Sequence, residues 1–214
     1  MNRMNKDRKM PVISIEGGEG TGKTTLIGMI QEYFAGKELD FIVTREPGGV
    51  KIAEEIRSVI LDPKNTEMDG KTEALLYAAA RRQHLVKKVF PACKAGKLVI
   101  FDRYVDSSLV YQGYVRGLGI EDVYQMNRFA TEDFMPDLTV YIDLDPAIGM
   151  ERINKNADRE INRLDLEGME FHYKVREGYK IIAERFPERI KTIDGDQTIE
   201  AVFNDVLKAI EAIL

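Results

Sequence analysis

The fold is decided by Gly17-Gly18-Glu19-Gly20-Thr21-Gly22-Lys23-Thr24. A strand-like apolar run, Val12–Ile15, precedes this stretch, and a run with helical spacing, 25–30, follows it. Glycines let backbone N–H groups turn inward around a polyphosphate, and the start of a helix adds partial positive charge. The lysine is placed to reach the β- and γ-phosphates, and the threonine hydroxyl is placed to ligate Mg²⁺. The sequence therefore predicts a phosphate loop that binds a nucleoside triphosphate through Gly17, Gly18, Glu19, Gly20, Thr21, Gly22, Lys23, Thr24 and Thr25.

Length and composition indicate one globular domain. The chain has 214 residues, of which 44% are hydrophobic and 31% charged. A net charge of −5 argues against broad nucleic-acid binding, and no apolar run approaches the roughly 18 residues that a membrane span requires. The single cysteine, Cys93, excludes an internal disulfide and fits a reducing cytoplasm. We expect a cytoplasmic protein with no nucleic-acid or membrane partner, in which a flexible tail, 1–10, precedes one domain, 11–214.

Apolar strand-like runs alternate with segments of helical periodicity along the whole chain. The runs are Val12–Ile15, Phe41–Thr44, Leu98–Phe101, Leu138–Ile142 and Ile190–Ile193. Such alternation predicts an α/β fold, in which helices cover both faces of a parallel sheet. Ligand-binding groups then gather beyond the carboxyl ends of the strands.

The third strand-like run ends in Asp102 and Arg103, which point to phosphate chemistry. A carboxylate that ends an apolar strand downstream of a phosphate loop is expected to face Mg²⁺. An arginine beside it is placed where phosphates converge. The polar segment 106–113 that follows has the composition of a site, although Asp106 also suits a helix N-cap.

Two further features leave alternatives open. Arg81 and Tyr77 are four residues apart in a helix expected over about Thr72–Lys88, and on their own they favour a solvated charge beside a half-buried ring. The charged segment at about 156–168 fits either a surface loop or a lid that brings arginines to the phosphates. His84 and His172 are expected to be structural.

The arginines near the predicted loops favour a small-molecule kinase with a phosphate acceptor. Such an acceptor has a second pKa of about 6, so it is already a dianion near neutral pH and needs no general base. The transfer instead needs cations that hold the two anionic groups, the donor and the acceptor phosphates, together. A hydroxyl acceptor would instead require a carboxylate base, for which Asp102 or Glu19 could serve.

The chain resembles the thymidylate kinase family over nearly its whole length. Four motifs in the family's order carry the resemblance: 16–25 (EGGEGTGKTT), 44–49 (TREPGG), 79–83 (AARRQ) and 102–113 (DRYVDSSLVYQG). The resemblance implies a P-loop kinase fold with strand order 2-3-1-4-5 and a short lid. It also implies transfer of a phosphoryl group from ATP to dTMP, with Mg²⁺, and a homodimer.

The resemblance assigns roles on the acceptor side of the site. Tyr77 is implied to stack on thymine, and Arg81 to donate to a thymine carbonyl. Tyr111 is implied to crowd the 2′ position of the sugar. Ser108 and Gln112 are implied to contact the base edge, and Arg57 and Arg103 to contact the acceptor phosphate. Glu19, Glu46 and Pro47 are implied to lie around the acceptor.

The phosphate loop carries no arginine, as in the branch of the family that places this residue in the lid. Arg159 and Arg163 are therefore the implied lid arginines, which join Lys23 and Arg103 as catalytic candidates. Thr24 and Asp102 are the metal candidates. One rival interpretation is another small P-loop kinase, acting on a different nucleoside monophosphate or a deoxynucleoside. The other is a nucleotide-binding switch without catalysis.

Overall fold

A computed structural model describes residues 8–155 and 167–214. The strands are β1 (Val12–Gly17), β2 (Phe41–Arg45), β3 (Leu98–Asp102), β4 (Leu138–Asp143) and β5 (Ile190–Asp194). Within these residues the strands form one parallel sheet in the order β2-β3-β1-β4-β5. The predicted sheet and its order are confirmed, and each observed strand extends one or two residues beyond the run that predicted it.

Helices connect the strands. They are α1 (Lys23–Ala35), α2 (Lys51–Leu61), α3 (Gly70–His84), α4 (Phe90–Lys94), α5 (Val105–Ser108), α6 (Ile120–Thr131), α7 (Pro146–Asn154), α8 (Met169–Arg185) and α9 (Ile199–Glu211). The long helix expected over Thr72–Lys88 is not regular, because a π-helical segment at Leu85–Val89 joins α3 to α4. A second π-helical segment, Leu109–Val115, continues α5. Asp106 does not cap α5; the N-cap residue is Tyr104.

The core lies on both faces of the sheet. On one face, Ile13 and Ile15 of β1 pack with Leu26 of α1 and Val206 of α9. On the other, the central strands are covered by α8 and by the two π-helical segments with their neighbours. Burial on both faces explains why the strands read as continuous apolar runs in the sequence. No helix of the described ranges is long and apolar enough to cross a membrane.

The N-terminal end of the described chain is attached to the domain. Arg8 pairs with Asp137 and donates to the carbonyl oxygen of Met135. The predicted flexible tail therefore does not extend freely to residue 10, and its first seven residues lie outside the described ranges. Most of the predicted lid, at 156–166, lies outside them too.

Candidate active site

The phosphate loop connects β1 to α1, as its sequence predicts. Gly20 and Gly22 have φ values of +70° and +87°, a region that favours glycine. Gly22 is the N-cap of α1 and provides no side-chain cap, so the first-turn N–H groups remain for a ligand. Gly20 also lies against Gly149 of α7, since a Cβ on Gly20 would be 2.1 Å from the Gly149 carbonyl oxygen. The loop is therefore held closely against the helix that leads to the predicted lid.

The Lys23 ammonium lies inside this loop. Its Nζ donates to the carbonyl oxygens of Gly17 at 3.1 Å and Gly18 at 2.6 Å, and to Thr21 Oγ1 at 3.3 Å. Burial, and then the neighbouring Arg103 guanidinium, lower the pKa of Lys23 from 10.5 to about 8. Because burial and Arg103 both disfavour the charged form of Lys23, a bound polyphosphate would stabilise the ammonium.

A cleft of about 710 Å³ opens beside the loop, beyond the carboxyl ends of the central strands. The cleft contains every residue that the resemblance implies for the acceptor side. Its lining is Glu19, Glu46, Pro47, Arg57, Leu61, Tyr77, Arg81, Arg103, Tyr104, Ser107, Ser108, Tyr111 and Gln112.

Arg103 joins the cleft to the phosphate loop. It has a φ of +65°. Its Nη1 donates to the Gly17 carbonyl and its Nη2 to Glu19 Oε1, both at 2.8 Å. The Tyr111 hydroxyl donates to the same Glu19 oxygen at 3.3 Å. Burial raises the pKa of Tyr111, so its hydroxyl stays neutral and remains a donor.

Arg81 is buried, with a side chain only 2% exposed, so its interpretation as a solvated charge is wrong. Its Nε donates to Glu46 Oε2 at 2.6 Å and its Nη2 to the Tyr104 carbonyl at 3.2 Å. Its Nη1 donates to Ser108 Oγ at 3.2 Å and to Asn127 Oδ1. Four of the five guanidinium N–H groups thus have partners among the described residues, whereas the fifth, on Nη2, has none there. Because Arg81 lines the cleft, this N–H is a candidate donor to a ligand.

Glu46 and His84 complete the support of Arg81. The second Glu46 oxygen lies 3.0 Å from His84 Nδ1, and His84 Nε2 lies 2.7 Å from Thr44 Oγ1. All three side chains are buried. The histidine therefore has the structural role that the sequence predicted.

The Glu46–Pro47 peptide bond is cis, and the Pro47 carbonyl accepts from Arg57 Nη1 at 3.1 Å.

Glu16, which accepts hydrogen bonds from the cleft residues Tyr104 and Ser107, had no role predicted from the sequence. It lies fully buried in β1, and burial followed by the nearby Asp106 carboxylate raises its pKa. Oε1 accepts from Ser14 Oγ at 2.8 Å and Tyr104 N at 2.6 Å. Oε2 accepts from Ser107 Oγ at 2.6 Å and Tyr179 Oη at 2.9 Å. A carboxylate inside an apolar strand was the sequence signal that could have found it.

The metal candidates lie on adjacent elements. Thr24 is exposed in the first turn of α1, and the half-buried Asp102 ends β3, the strand beside β1. Across the described ranges no side chain hydrogen bonds to the Asp102 carboxylate, and no three histidine, cysteine or acidic side chains form a metal-binding cluster. This oxygen donor pair fits Mg²⁺, which typically uses one or two protein ligands together with substrate phosphates and water.

A second pocket, of about 630 Å³, opens on the other side of the loop. Thr21 and Thr25 line it, as expected for a donor site. No sequence pattern pointed to its other lining residues, which are Arg152, Gly195, Gln197, Ile199 and Val202. The lid candidates Arg159 and Arg163 lie outside the described residues.

Comparisons with known proteins agree with this geometry. A sequence profile of the thymidylate kinase family matches residues 15–206. A thymidylate kinase of Geobacillus sp. (strain WCH70) is 60% identical over 197 residues, covering 92% of this chain and 94% of the relative. One of Oceanobacillus iheyensis is 58% identical over 202 residues, covering 94% and 90%. The crystal structure of a thymidylate kinase from Ehrlichia chaffeensis superposes with a TM-score of 0.77 at 31% identity, covering 95% of this chain and 99% of that one. The chain belongs to the thymidylate kinase family.

Proposed function

We propose that the cleft holds dTMP, the second pocket holds the adenosine of ATP, and the phosphate loop between them holds the transferring phosphoryl group. The reaction converts ATP and dTMP to ADP and dTDP, a step toward dTTP. The observation that carries the assignment is the ion pair between Arg103 and Glu19, which lies where the cleft meets the loop. Two bound nucleotides would meet at that point.

On the donor side, the loop N–H groups and Lys23 hold the β- and γ-phosphates. The Lys23 ammonium turns from the loop carbonyls to the phosphates, because charged oxygens are stronger acceptors. The pocket beside Thr21 and Thr25 has room for a nucleoside and opens onto the same loop. Thr24 and Asp102 would hold Mg²⁺, which when bound offsets negative charge on the phosphates.

On the acceptor side, Arg57 and Arg103 bind the 5′-phosphate of dTMP, and Glu19 lies beside the sugar. Tyr77 stacks on the base, Ser108 and Gln112 meet its edge, and the free N–H of Arg81 donates to a base carbonyl. The ring of Tyr111 approaches the 2′ position, and Glu46 and Pro47 shape the wall between base and phosphate.

No residue of the cleft has to remove a proton. The acceptor phosphate is already a dianion near neutral pH, so positioning and charge stabilisation supply the catalysis. Lys23 and Arg103 hold the two phosphates in line. Arg159 and Arg163 remain proposed as the lid arginines that close over the transferring group and exclude water.

The test is a panel of nucleoside monophosphates and deoxynucleosides, each incubated with ATP while ADP release is measured. We expect dTMP to be the preferred acceptor and Lys23→Ala to abolish turnover. Robust transfer to another acceptor, with none to dTMP, would overturn the substrate assignment. For the metal, calorimetry should show that Mg²⁺ strengthens ATP binding to the wild type more than to Asp102→Asn.

We also propose a homodimer that pairs through the outer surfaces of α2, α3 and α6. These helices expose large apolar side chains: Ile52, Val59, Leu75 and, 90% exposed, Phe129. Such residues on neighbouring helices indicate an interface.

Light scattering should give a dimer for the wild type and a monomer for the double variant Leu75→Asp, Phe129→Asp. Ile213→Asp, a matched change at an exposed apolar residue near the C terminus, should leave the dimer intact. A monomeric wild type at tens of micromolar would contradict the proposal.

We propose further that residues 11–214 form one domain and that the protein works in the cytoplasm. The two-sided core runs through the whole described sheet, which supports a single domain. ATP and dTMP belong to the cytoplasmic nucleotide pool, and a lone buried cysteine suits that compartment. A single cooperative unfolding transition and cell fractionation would test these two statements.

A further inference from the structure

We propose that Glu73, a residue outside the cleft, determines which atom of the Gln112 side chain faces the substrate base. By this means it favours thymine over cytosine. The inference rests on the proposed function, because it concerns the base end of the dTMP cleft. Glu73 acts through Gln112, so it is a positioning residue.

Glu73 precedes two residues of the cleft on the same helix, Tyr77 by about one turn and Arg81 by about two. Glu73, Tyr77 and Arg81 are spaced four apart along α3, so they share one face of that helix. Tyr77 and Arg81 line the cleft, whereas Glu73 does not. Gln112 reaches the same place from the π-helical segment Leu109–Val115 and lines the cleft. Both Glu73 and Gln112 are almost fully buried.

A hydrogen bond between these two side chains fixes the orientation of the amide. Gln112 Nε2 donates to Glu73 Oε1 at 2.7 Å. The Arg116 guanidinium pairs with the same carboxylate, with its Nε 3.8 Å from Oε1. The carboxylate oxygen accepts this hydrogen bond, so the amide turns its NH₂ group toward Glu73. The amide carbonyl, Oε1, then remains as an acceptor on the cleft side, and none of the described residues donates to it.

Arg81 and Gln112 both line the cleft, so this orientation gives it a donor and an acceptor. The donor is the remaining N–H of Arg81, and the acceptor is the Gln112 carbonyl. Thymine presents the complement, a carbonyl oxygen next to the N3–H group. Cytosine presents an amino group next to an unprotonated N3, whose lone pair would face the Gln112 carbonyl. A buried polar group left without a partner is costly, so the arrangement rejects cytosine.

The variant Glu73→Gln tests this directly. Its amide both donates and accepts, so the Gln112 amide becomes free to turn over. We expect the ratio of kcat/KM for dTMP to kcat/KM for dCMP to fall by about tenfold or more. The KM for ATP should stay within about twofold. An unchanged ratio in the folded variant, or an equal loss with both acceptors, would overturn the inference.

A double-mutant cycle separates positioning from general packing. In a Gln112→Ala background there is no amide to orient, so Glu73→Gln should leave the dTMP to dCMP ratio unchanged. If Glu73→Gln changes the ratio as much in this background as in the wild type, Glu73 does not act through Gln112.

A third measurement requires neither a folded Glu73 variant nor turnover. In nitrogen-15-labelled wild type, the Gln112 NH₂ resonance is identified by its loss in Gln112→Ala. We expect its protons to exchange slowly with water, with and without dTMP. Fast exchange would overturn the role of Glu73. Failure to phosphorylate dTMP, with this protection intact, would instead overturn the proposed function.

Discussion

The Arg103 guanidinium and the Glu19 carboxylate form an ion pair, Nη2 to Oε1 at 2.8 Å, between the end of β3 and the phosphate loop. The same guanidinium donates to the Gly17 carbonyl at 2.8 Å. Arg103 is therefore attached to the loop at two points. A phosphate bound by Arg103 and a triphosphate bound by the loop would be held at a fixed distance, and such alignment lowers the barrier to transfer.

We predict that Arg103→Lys lowers kcat about 100-fold and leaves the KM for ATP within about twofold. Lysine keeps the charge but cannot bind Glu19 and Gly17 together, because it lacks the rigid fork of the guanidinium. Steady-state kinetics with ATP and dTMP would measure this. Arg128→Lys, the same change at an exposed arginine that pairs with Asp133, is the control and should retain wild-type kcat. Equal kcat values for the two variants would contradict the prediction.

The Lys23 pKa of about 8 predicts proton uptake on ATP binding. At pH 8 about half of the Lys23 side chains in the free protein are neutral, and the bound triphosphate favours the ammonium. Calorimetry in buffers of different ionisation enthalpy should show about half a proton taken up at pH 8 and almost none at pH 6.5. Lys23→Arg should abolish the uptake at pH 8. Equal uptake at both pH values would rule out Lys23 as its source.

The same pKa predicts a pH dependence of stability in the free protein. Because the Lys23 pKa is lowered by folding from 10.5 to about 8, the unfolded chain binds more protons between these values. Lys23 therefore makes the free energy of unfolding rise as the pH increases from about 8 to 10.5. Urea denaturation across this range, compared with Lys23→Met, would isolate the contribution. A wild-type slope no steeper than that of the variant would contradict it.

We predict that Gly149→Ala raises the KM for ATP about tenfold. A Cβ at this position would lie 2.4 Å from the Glu19 carbonyl oxygen, so α7 or the phosphate loop must move. Gly28→Ala is the matched control, since a Cβ there has no heavy atom within 4 Å. It should leave the KM unchanged and increase the free energy of unfolding by about 0.5–1 kcal/mol. Equal KM values for the two variants would show that the close approach has no effect on the donor site.

We predict that Arg81→Ala lowers the free energy of unfolding by about 3–5 kcal/mol, besides weakening dTMP binding. Its removal leaves the buried Glu46 carboxylate without its closest cation. Arg82→Ala is the control, because Arg82 is 41% exposed and pairs with Glu132 at the surface. Its effect should stay below about 1 kcal/mol. Urea denaturation would measure the free energy of unfolding of both variants. Equal losses of this free energy in the two variants would contradict the prediction.

The sheet and the loop could be predicted because their signals are local. An apolar run such as Leu98–Phe101 marks a buried strand by itself, and the glycine spacing of 17–24 marks a phosphate loop. The burial of Arg81 had no local signal. Its partners Glu46 and Asn127 come from segments 35 and 46 residues away along the chain, so only the fold brings them together.

Other features were missed for similar reasons. The π-helical segment Leu85–Val89 has an ordinary helical sequence, and only tertiary packing distinguishes it. The orientation of the Gln112 amide depends on Glu73, 39 residues earlier, and no spacing rule connects them. The acceptor-side residues themselves were indicated by family resemblance, and the cleft brings them together.

The four protein contacts of Arg81 have a consequence for drug resistance. A competitive inhibitor that accepts the remaining Arg81 N–H would use a group that the protein cannot easily replace. A resistance mutation at Arg81 would remove a large part of the stability of the enzyme, since domains are stable by only about 5–15 kcal/mol. Escape would therefore arise at other residues of the cleft, such as the half-buried Tyr77.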